Sequence, residues 1–199
     1  MLPQPPIVNQ VRYILIIFSV FLFSLTVISC KSSDDDDLTS STSSTGLFVT
    51  VGDNVIILTS SDGISWTKRT SGTTKNLYGV TYGNSTFVTV GDNGTILTSS
   101  DGTTWTSRTS NTSKDLYGVT YGNNTFVIVM DSQYVLTSSD GTTWDDNNRG
   151  SSTRGVIYAN NTFTAVGNSG TIITSSDGIS WTSSTSGTSK RLYGVTYTE

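Results

Sequence analysis

A four-fold internal repeat constrains this chain more than any other feature of its sequence. The heptapeptide Ser-Ser-Asp-Gly-x-x-Trp occurs four times, and its tryptophans recur at intervals of 39, 39 and 37 residues. A second element, Leu-Tyr-Gly-Val-Thr-Tyr, begins at Leu77, Leu116 and Leu192, and a degenerate copy begins at Thr153. A fixed period of about 40 residues predicts stacked copies of one supersecondary unit.

Each repeat contains four short runs of β-forming residues, which we name A, B, C and D in chain order. The link between runs C and D in the second repeat, Asp101-Gly102, is predicted to be a two-residue type I′ hairpin, because both residue types tolerate positive φ. Four antiparallel strands in about 40 residues are typical of a propeller blade. The predicted fold is therefore all-β, a four-bladed β-propeller over residues 46–199. In the second repeat the runs are predicted at Leu77–Tyr82, Thr86–Val90, Thr95–Ser99 and Thr103–Thr109.

The two ends of the repeat region predict how the ring closes. The first repeat begins at run B with Phe48, and a spare run A follows the last repeat at Leu192–Tyr197. We expect this C-terminal inner strand to pair with the N-terminal blade, because closure removes an exposed sheet edge. The chain is then predicted to be a monomer. An open half-ring that dimerises is the alternative.

The N-terminal region has the pattern of a secretion signal. Arg12 precedes an apolar run from Tyr13 to Val27, which is shorter than a bilayer span of about 20 residues. Val27-Ile28-Ser29-Cys30 resembles a bacterial lipobox, which implies cleavage before Cys30 and a diacylglycerol on its sulfur. Residues 1–29 are thus predicted to be a lipoprotein signal peptide. An uncleaved anchor, or an ordinary signal peptide with an incidental cysteine, is the alternative.

Residues 30–45 are predicted to be a flexible tether that follows the lipidated cysteine. They contain four consecutive aspartates, Asp34 to Asp37, and then a Ser/Thr-rich stretch that cannot bury a core. An acidic cluster at this place resembles the surface-export signals of some outer-membrane lipoproteins. It predicts display at the cell surface, with the periplasmic face as the alternative.

Composition excludes several function classes. The chain has no histidine and its one glutamate is Glu199, so catalysis through histidine or an internal glutamate is excluded. The formal charge of −4 gives no basic footprint for nucleic acid. Cys30 is the only cysteine, which excludes a disulfide within the chain. No metal or cofactor is expected apart from the covalent diacylglycerol on Cys30.

The heptapeptide resembles the Asp-box, or BNR, repeat, which usually reads Ser-x-Asp-x-Gly-x-Thr-Trp; here the residue between Asp and Gly is absent. The repeats from Gly46 to Tyr197 also resemble those of photosystem II assembly-factor-like proteins and related bacterial repeat lipoproteins. The resemblance implies structural turns at the blade periphery. Sialidases carry such boxes too, but this chain has no internal glutamate for their Tyr–Glu pair. The structural residues implied are Asp62, Trp66, Asp101, Trp105, Asp140, Trp144, Asp177 and Trp181.

The loops that join B to C and D to A are predicted to lie on one face, opposite the Asp-Gly turns. Aromatic residues surrounded by mixed charges suit contact with a protein or a glycan. A solvated rim above core tyrosines is the alternative. The candidate partner face comprises Tyr78, Tyr117, Tyr193, Asp53, Asp92, Asp131 and Arg154.

The third repeat departs most from the pattern. Arg154 stands where the other repeats have Tyr, and Asp131 follows Met130 instead of glycine. Asp145, Asp146 and Asn147 supply oxygen atoms, but they lack the ligand spacing of a calcium loop. We therefore predict no metal site; neutral drift or an asymmetric partner site at this blade are the readings left open.

These observations predict a lipid-anchored, surface-displayed, non-enzymatic binding module. One alternative is a periplasm-facing assembly or scaffolding factor, by analogy with the photosystem assembly relatives. A hydrolase that acts on glycans is a further alternative. The sequence names no ligand.

Overall fold

The computed structural model describes residues 46–147 and 151–198, and this part of the chain is all-β. The predictions for residues 1–45, which include the signal peptide, the lipid on Cys30 and the tether, lie outside the described residues. No helix within the described ranges is long and apolar enough to cross a membrane.

The strands form four antiparallel sheets in chain order, which confirms the predicted all-β, blade-like repeat. Neighbours in each sheet are consecutive in sequence. The first sheet has three strands and the other three have four. The first sheet contains β1 (Phe48–Val51), β2 (Ile57–Ser60) and β3 (Thr67–Arg69). The second contains β4 (Leu77–Gly83), β5 (Thr86–Gly91), β6 (Ile96–Ser99) and β7 (Thr106–Arg108). The third contains β8 (Leu116–Gly122), β9 (Thr125–Met130), β10 (Val135–Ser138) and β11 (Asp145–Asn147). The fourth contains β12 (Thr153–Ala159), β13 (Thr162–Gly167), β14 (Ile172–Ser175) and β15 (Thr182–Ser184).

The type I′ hairpin lies at the link between runs A and B, not at the C–D link where we predicted it. Asn84 and Ser85 both have positive φ, and Gly83 pairs with Thr86 across them. Equivalent Asn-Asn pairs at 123–124 and 160–161 also have positive φ. Positive φ at both central residues matches the twist of the flanking strands, so asparagine supplies the turn.

The Asp-Gly link is a longer turn, so the predicted run D at Thr103–Thr109 was also too long. In the second sheet the backbone N–H groups of Thr103 and Thr104 donate to Asp101 Oδ1 at 2.7 and 2.8 Å. These residues therefore belong to the turn, and β7 begins only at Thr106. Within this turn only Gly102 has positive φ, which a type I′ turn would require at two positions.

Three apolar clusters lie between successive sheets, one at each of the three junctions. Leu77 packs at the first junction, Phe126 at the second and Ala165 at the third. Trp105, Trp144 and Trp181 accompany these clusters in the same order. The side chains of each sheet are thus buried by the next sheet along the chain.

The first strands of the three complete sheets, β4, β8 and β12, lie side by side and are called the inner strands. They approach each other through their backbones. An added Cβ at Gly79 would lie 3.0 Å from the Tyr117 carbonyl oxygen, and one at Gly118 would lie 2.9 Å from the carbonyl oxygen of Arg154. Only glycine allows this approach.

The strand pairing that was predicted to close the ring is not found among the described residues. Leu192–Tyr197 forms no strand in the structure, and β1 pairs only with β2 among the described residues. A Cβ at Gly194 would meet no atom within 4 Å, unlike those at the equivalent glycines. Among the described residues, no strand pairing joins the last segment to β1, so the array of sheets is open between them.

Candidate partner-binding face

The loops that precede the inner strands meet the B–C loops at one end of the sheets. The N–H of Asp92 donates to the Asn76 carbonyl oxygen at 3.1 Å, and the N–H of Gly94 donates to that of Lys114 at 2.7 Å. The side chain of Asn84, in the A–B turn, instead donates to the carbonyl oxygen of Ser139 beside the next Asp-Gly turn. The two kinds of loop therefore lie at opposite ends of the sheets.

Three side chains at the same repeat position form a continuous row across neighbouring inner strands. The rings of Tyr78 and Tyr117 have centroids 5.6 Å apart. The guanidinium carbon of Arg154 lies 4.1 Å from the centroid of the Tyr117 ring. We call Tyr78, Tyr117 and Arg154 the inner row. A cation over an aromatic face is attracted by the ring quadrupole, which fixes the arginine in this place.

A break in strand pairing turns the inner row out of the sheets. In β4 the register shifts between Leu77 and Gly79, so Tyr78 has no opposite residue on β5. The same shift leaves out Tyr117 in β8 and Arg154 in β12. A bulge of this kind re-aims the extra side chain. The sequence offered a signal that we did not use: a glycine always follows the row residue.

Asp131 joins the third and fourth sheets at the end of the row. Arg154 Nη2 donates to its Oδ2 at 3.2 Å, and Asn168 Nδ2 donates to its Oδ1 at 2.9 Å. The Ser152 hydroxyl also donates to Oδ1. This hydroxyl, followed by Asn168 and the positive charge of Arg154, holds the pKa of the Asp131 carboxyl below its ordinary value. The arginine is thus fixed by an ion pair and by the ring beneath it.

Asp92 holds the other end of the row. The Tyr78 hydroxyl donates to Asp92 Oδ1, and the N–H of Asn76 donates to Oδ2 at 3.2 Å. The bond to this carboxylate raises the pKa of Tyr78 to about 12, because it stabilises the protonated phenol. Tyr78 stays neutral and keeps its ring on the row at every ordinary pH.

The structure does not bring every predicted face residue into the row. Tyr193 occupies the next repeat position, since a Cβ at Gly155 would lie 2.6 Å from its carbonyl oxygen, but its side chain is 70% exposed. Asp53 lies in the loop between β1 and β2 of the first sheet, which has no inner strand, and hence no row residue, among the described residues. Sequence reasoning missed Ser152 and Asn168, although Asn168 stands at the repeat position of Asp53, Asp92 and Asp131.

The aspartates of the heptapeptides serve the turns at the opposite end. In the first turn Asp62 Oδ1 accepts from the N–H groups of Ile64 and Ser65, both at 2.8 Å. The Ser60 hydroxyl donates to the same oxygen and accepts from the N–H of Gly63 at 2.8 Å. The backbone bonds from Ser65 and Ile64 lower the pKa of Asp62 to about 2. Asp101, Asp140 and Asp177 make the equivalent bonds, which lower their pKa values as well.

The tryptophans of the heptapeptides differ in their environments. Trp105 and Trp181 donate their indole N–H to the carbonyl oxygens of Gly102 and Gly178 at 3.1 and 3.0 Å. Trp144 is 5% exposed and its indole N–H has no partner within the described residues. Trp66 is 42% exposed and belongs to none of the apolar clusters found among the described residues.

The divergent third repeat keeps one structural contact with different residues. Arg69 Nε and Arg108 Nε each donate to a threonine of the neighbouring strand at 2.8 Å. Asn147 Nδ2 donates to Thr137 Oγ1 at the same distance. Asp145 and Asp146 lie in β11, and the described residues contain no group of three or more acidic, histidine or cysteine residues that could hold a metal.

The fold is similar to several solved structures of low sequence identity. YCF48 bound to D1 peptide matches with a TM-score of 0.58 and 19% identity, over 74% of this chain and 53% of that one. The computationally designed Ika8 protein gives a TM-score of 0.53 and 13% identity, over 76% of this chain and 52% of that one. A chain of the nidogen/laminin complex gives 0.51 and 14%, over 72% and 61%.

These likenesses concern the fold alone. They support, at that level, the resemblance of the repeats to those of photosystem II assembly-factor-like proteins. The chain spans about half the length of the YCF48 and Ika8 chains that it matches. Neither a protein-family model nor a curated protein sequence matches it.

Proposed function

We propose that the repeat domain is a non-enzymatic binding module and that the inner row contacts its partner. The observation that carries this proposal is the row itself: two neighbouring tyrosine rings, tilted by 30° to each other, and an arginine held over the second ring. Tyrosine and arginine are the residue types that dominate binding energy at interfaces. The partner class that fits is a protein or a glycan, since both offer apolar faces with polar edges.

The row is pre-ordered, which favours binding. Tyr78 is held by Asp92, while Arg154 is held by Asp131, Asn168 and the Tyr117 ring. Side chains that are already fixed lose little conformational entropy when a partner arrives. Tyr78 is 42% exposed, so its ring is accessible at this face.

A capture experiment tests this proposal. The purified chain is offered to host matrix proteins, to a glycan panel and to envelope extract, and bound material is identified. Tyr117→Ala and Arg154→Ala are each expected to lower retention at least tenfold. Ile64→Ser is the matched control, because Ile64 is 85% exposed in an Asp-Gly turn at the opposite end. Equal retention by all variants would contradict the assignment of this face, and cleavage of a captured glycan would assign a hydrolase instead.

We also propose that the domain is held at the outer membrane by a lipid on Cys30 and displayed at the cell surface. The support is the lipobox-like Val27-Ile28-Ser29-Cys30 after an apolar run, with the aspartate cluster beyond it. Two acyl chains anchor a protein stably, since each buried CH₂ contributes about 0.8 kcal/mol. Label from a fatty-acid analogue is expected on the natural chain and absent from Cys30→Ser.

A periplasm-facing assembly or scaffolding factor is the second candidate. The observation that favours it is the fold likeness to YCF48, whose solved structure holds the D1 peptide. Protease added to intact cells separates the two locations. Degradation of the domain supports surface display, and protection until the outer membrane is opened supports the periplasmic factor.

A further inference from the structure

Two parts of the regular strand pairing have no strand partner among the described residues: the outer edge of β1 and the segment Leu192–Tyr197. In the second, third and fourth sheets the inner strand pairs antiparallel with the following strand. In the first sheet β1 has β2 on one side and, among the described residues, no strand on the other. The segment Leu192–Tyr197 has the inner-strand sequence Leu-Tyr-Gly-Val-Thr-Tyr found in β4 and β8, yet it joins no sheet in the described structure. An edge and a strand that fits it are therefore both present.

A tyrosine–phenylalanine contact that each complete sheet makes is also missing from the first sheet among the described residues. In each complete sheet the inner-strand tyrosine packs on the phenylalanine opposite, with centroids 4.5 to 4.6 Å apart at Tyr82–Phe87, Tyr121–Phe126 and Tyr158–Phe163. Phe48 occupies this position in the first sheet and is 56% exposed, against 9% or less for its three counterparts. Tyr197, which occupies the tyrosine position, has no ring contact among the described residues. Phe48 and Tyr197 therefore correspond to the two members of a ring pair that does not form within this structure.

The Asp-Gly turns show the same difference between the first sheet and the others. At each junction an Asp-Gly turn packs on the preceding sheet: a Cβ at Gly141 would lie 3.4 Å from Val88 Cγ2, and one at Gly178 would meet Val127. At Gly63, in the first sheet, the same atom would meet only the Phe48 ring of its own sheet. Within the described part of the chain, the turn of the first sheet thus has no neighbouring sheet to pack against.

The C-terminal segment is already held in position for pairing. The N–H of Leu192 donates to the Gly167 carbonyl oxygen at 2.8 Å, as the N–H of Leu77 donates to that of Gly52 at 3.2 Å. Leu192 is thus attached to the fourth sheet as the start of the next inner strand. Since the fourth sheet stands at the opposite end of the open array from β1, the segment reaches the β1 edge of a second molecule more readily than its own.

We propose that two copies of this chain exchange Leu192–Tyr197, each segment pairing antiparallel with β1 of the other copy. The register of the complete sheets places Tyr197 opposite Phe48 and Val195 opposite Thr50. The exchange is two-fold symmetric, so both free edges and both exposed phenylalanines are satisfied at once. The result is a closed ring of eight sheets made from two chains. It uses the first and last sheets and leaves the inner rows accessible, so it stands apart from the partner proposed above.

Mass and site-directed cross-linking test this exchange. The full chain with Cys30→Ser, which removes the only native thiol, is purified in detergent because of its apolar N-terminal run. Light scattering is expected to give twice the protein mass of 21.3 kDa. Two further variants of this chain, Thr50→Cys and Val195→Cys, carry different tags and are mixed under mild oxidation. A reducible dimer that contains both tags is the expected product.

A matched control is the double variant Val80→Cys with Thr89→Cys, since these residues lie directly opposite each other within the second sheet. It is expected to cross-link within one chain and so shows that the position supports a disulfide. A single-chain mass with no mixed product would overturn the proposal. An internal Thr50–Val195 link in a monomeric double variant would overturn it in favour of a closed single ring, and a ladder of trimers and larger species would exclude the closed pair.

Discussion

The first and third sheets carry the same repeat positions in different surroundings. Phe126 and Trp144 in the third sheet are 0% and 5% exposed, whereas Phe48 and Trp66 in the first are 56% and 42% exposed. The paired rings are nevertheless alike, with centroid separations of 6.3 and 6.5 Å. The repeat therefore builds the ring pair within a sheet, and a neighbouring sheet decides whether that pair is buried.

The turns of the two sheets do not share this difference. The Ser60 hydroxyl in the first sheet and the Ser138 hydroxyl in the third each accept from a glycine N–H at 2.8 Å. Asp62 and Asp140 each accept from two further backbone N–H groups within four residues. Contacts between residues so close in sequence form without help from the rest of the fold.

The largest expected difference between the sheets concerns the phenylalanines. Phe126→Ala is expected to lower the free energy of unfolding by about 3–5 kcal/mol, because it leaves a cavity between two packed sheets. Phe48→Ala is expected to cost about 0.5 kcal/mol in the single chain, where the ring is exposed. Urea denaturation at a dilution that gives single chains measures both. Similar midpoints would show that the first sheet is covered after all.

Gly91 and Gly52 occupy the same repeat position in the second and first sheets, and they are expected to respond differently to substitution by alanine. A Cβ at Gly91 would overlap the Asn76 carbonyl oxygen, which precedes the inner strand, so Gly91→Ala is expected to cost about 1–3 kcal/mol. At Gly52 the same atom would meet only Ile56 Cγ2 at 3.5 Å. Gly52→Ala should leave the single chain unchanged but weaken pairing of two chains, which light scattering over a dilution series measures. A loss of stability at high dilution would refute this account.

The turn serines are expected to give equal effects in the first and second sheets. Ser60→Ala and Ser99→Ala each remove a hydroxyl that is 4% exposed and bridges an aspartate to a glycine N–H. Each loss is expected to lower the free energy of unfolding by about 1–2 kcal/mol. Urea midpoints of the two variants should agree. A clearly smaller loss at Ser60 would mean that burial by a neighbouring sheet also strengthens the turn.

The smallest expected effect on stability is that of acid, which weakens the bonds to the turn aspartates in all four sheets. The backbone bonds to the turn aspartates lower their folded-state pKa values, to about 2 for Asp62, against an unfolded value near 3.9. Their stabilising effect is therefore present above about pH 4 and is lost as pH falls through the folded-state pKa. The urea midpoint is expected to fall between pH 4 and pH 2, less steeply in Asp140→Asn. A constant midpoint over this window would contradict the role of these carboxylates.

Much of the fold was predictable because its signals are local. The alternation of β-forming runs with Gly, Asn and Asp predicted the strands of each sheet. The C–D link was misjudged because Asp101-Gly102 matches a hairpin dipeptide. Asp101 instead accepts from Thr103 and Thr104, and these bonds extend the turn.

The candidate site was predictable only in its residue types. Repeat alignment identified Tyr78, Tyr117 and Arg154 as equivalent positions, but not that a register shift turns all three outwards. Asp131 was assigned to the same face by its loop, yet its bond to Asn168 joins residues 37 positions apart. No pattern within one repeat encodes a contact between two repeats.

The sequence by itself determined the strand order and the turns, because each depends on residues within one repeat of about 40. Only the tertiary structure decided that the array stays open, that Phe48 and Trp66 face solvent, and that Arg154 lies over Tyr117. The angle between two sheets is set by many side chains from both, packed at once.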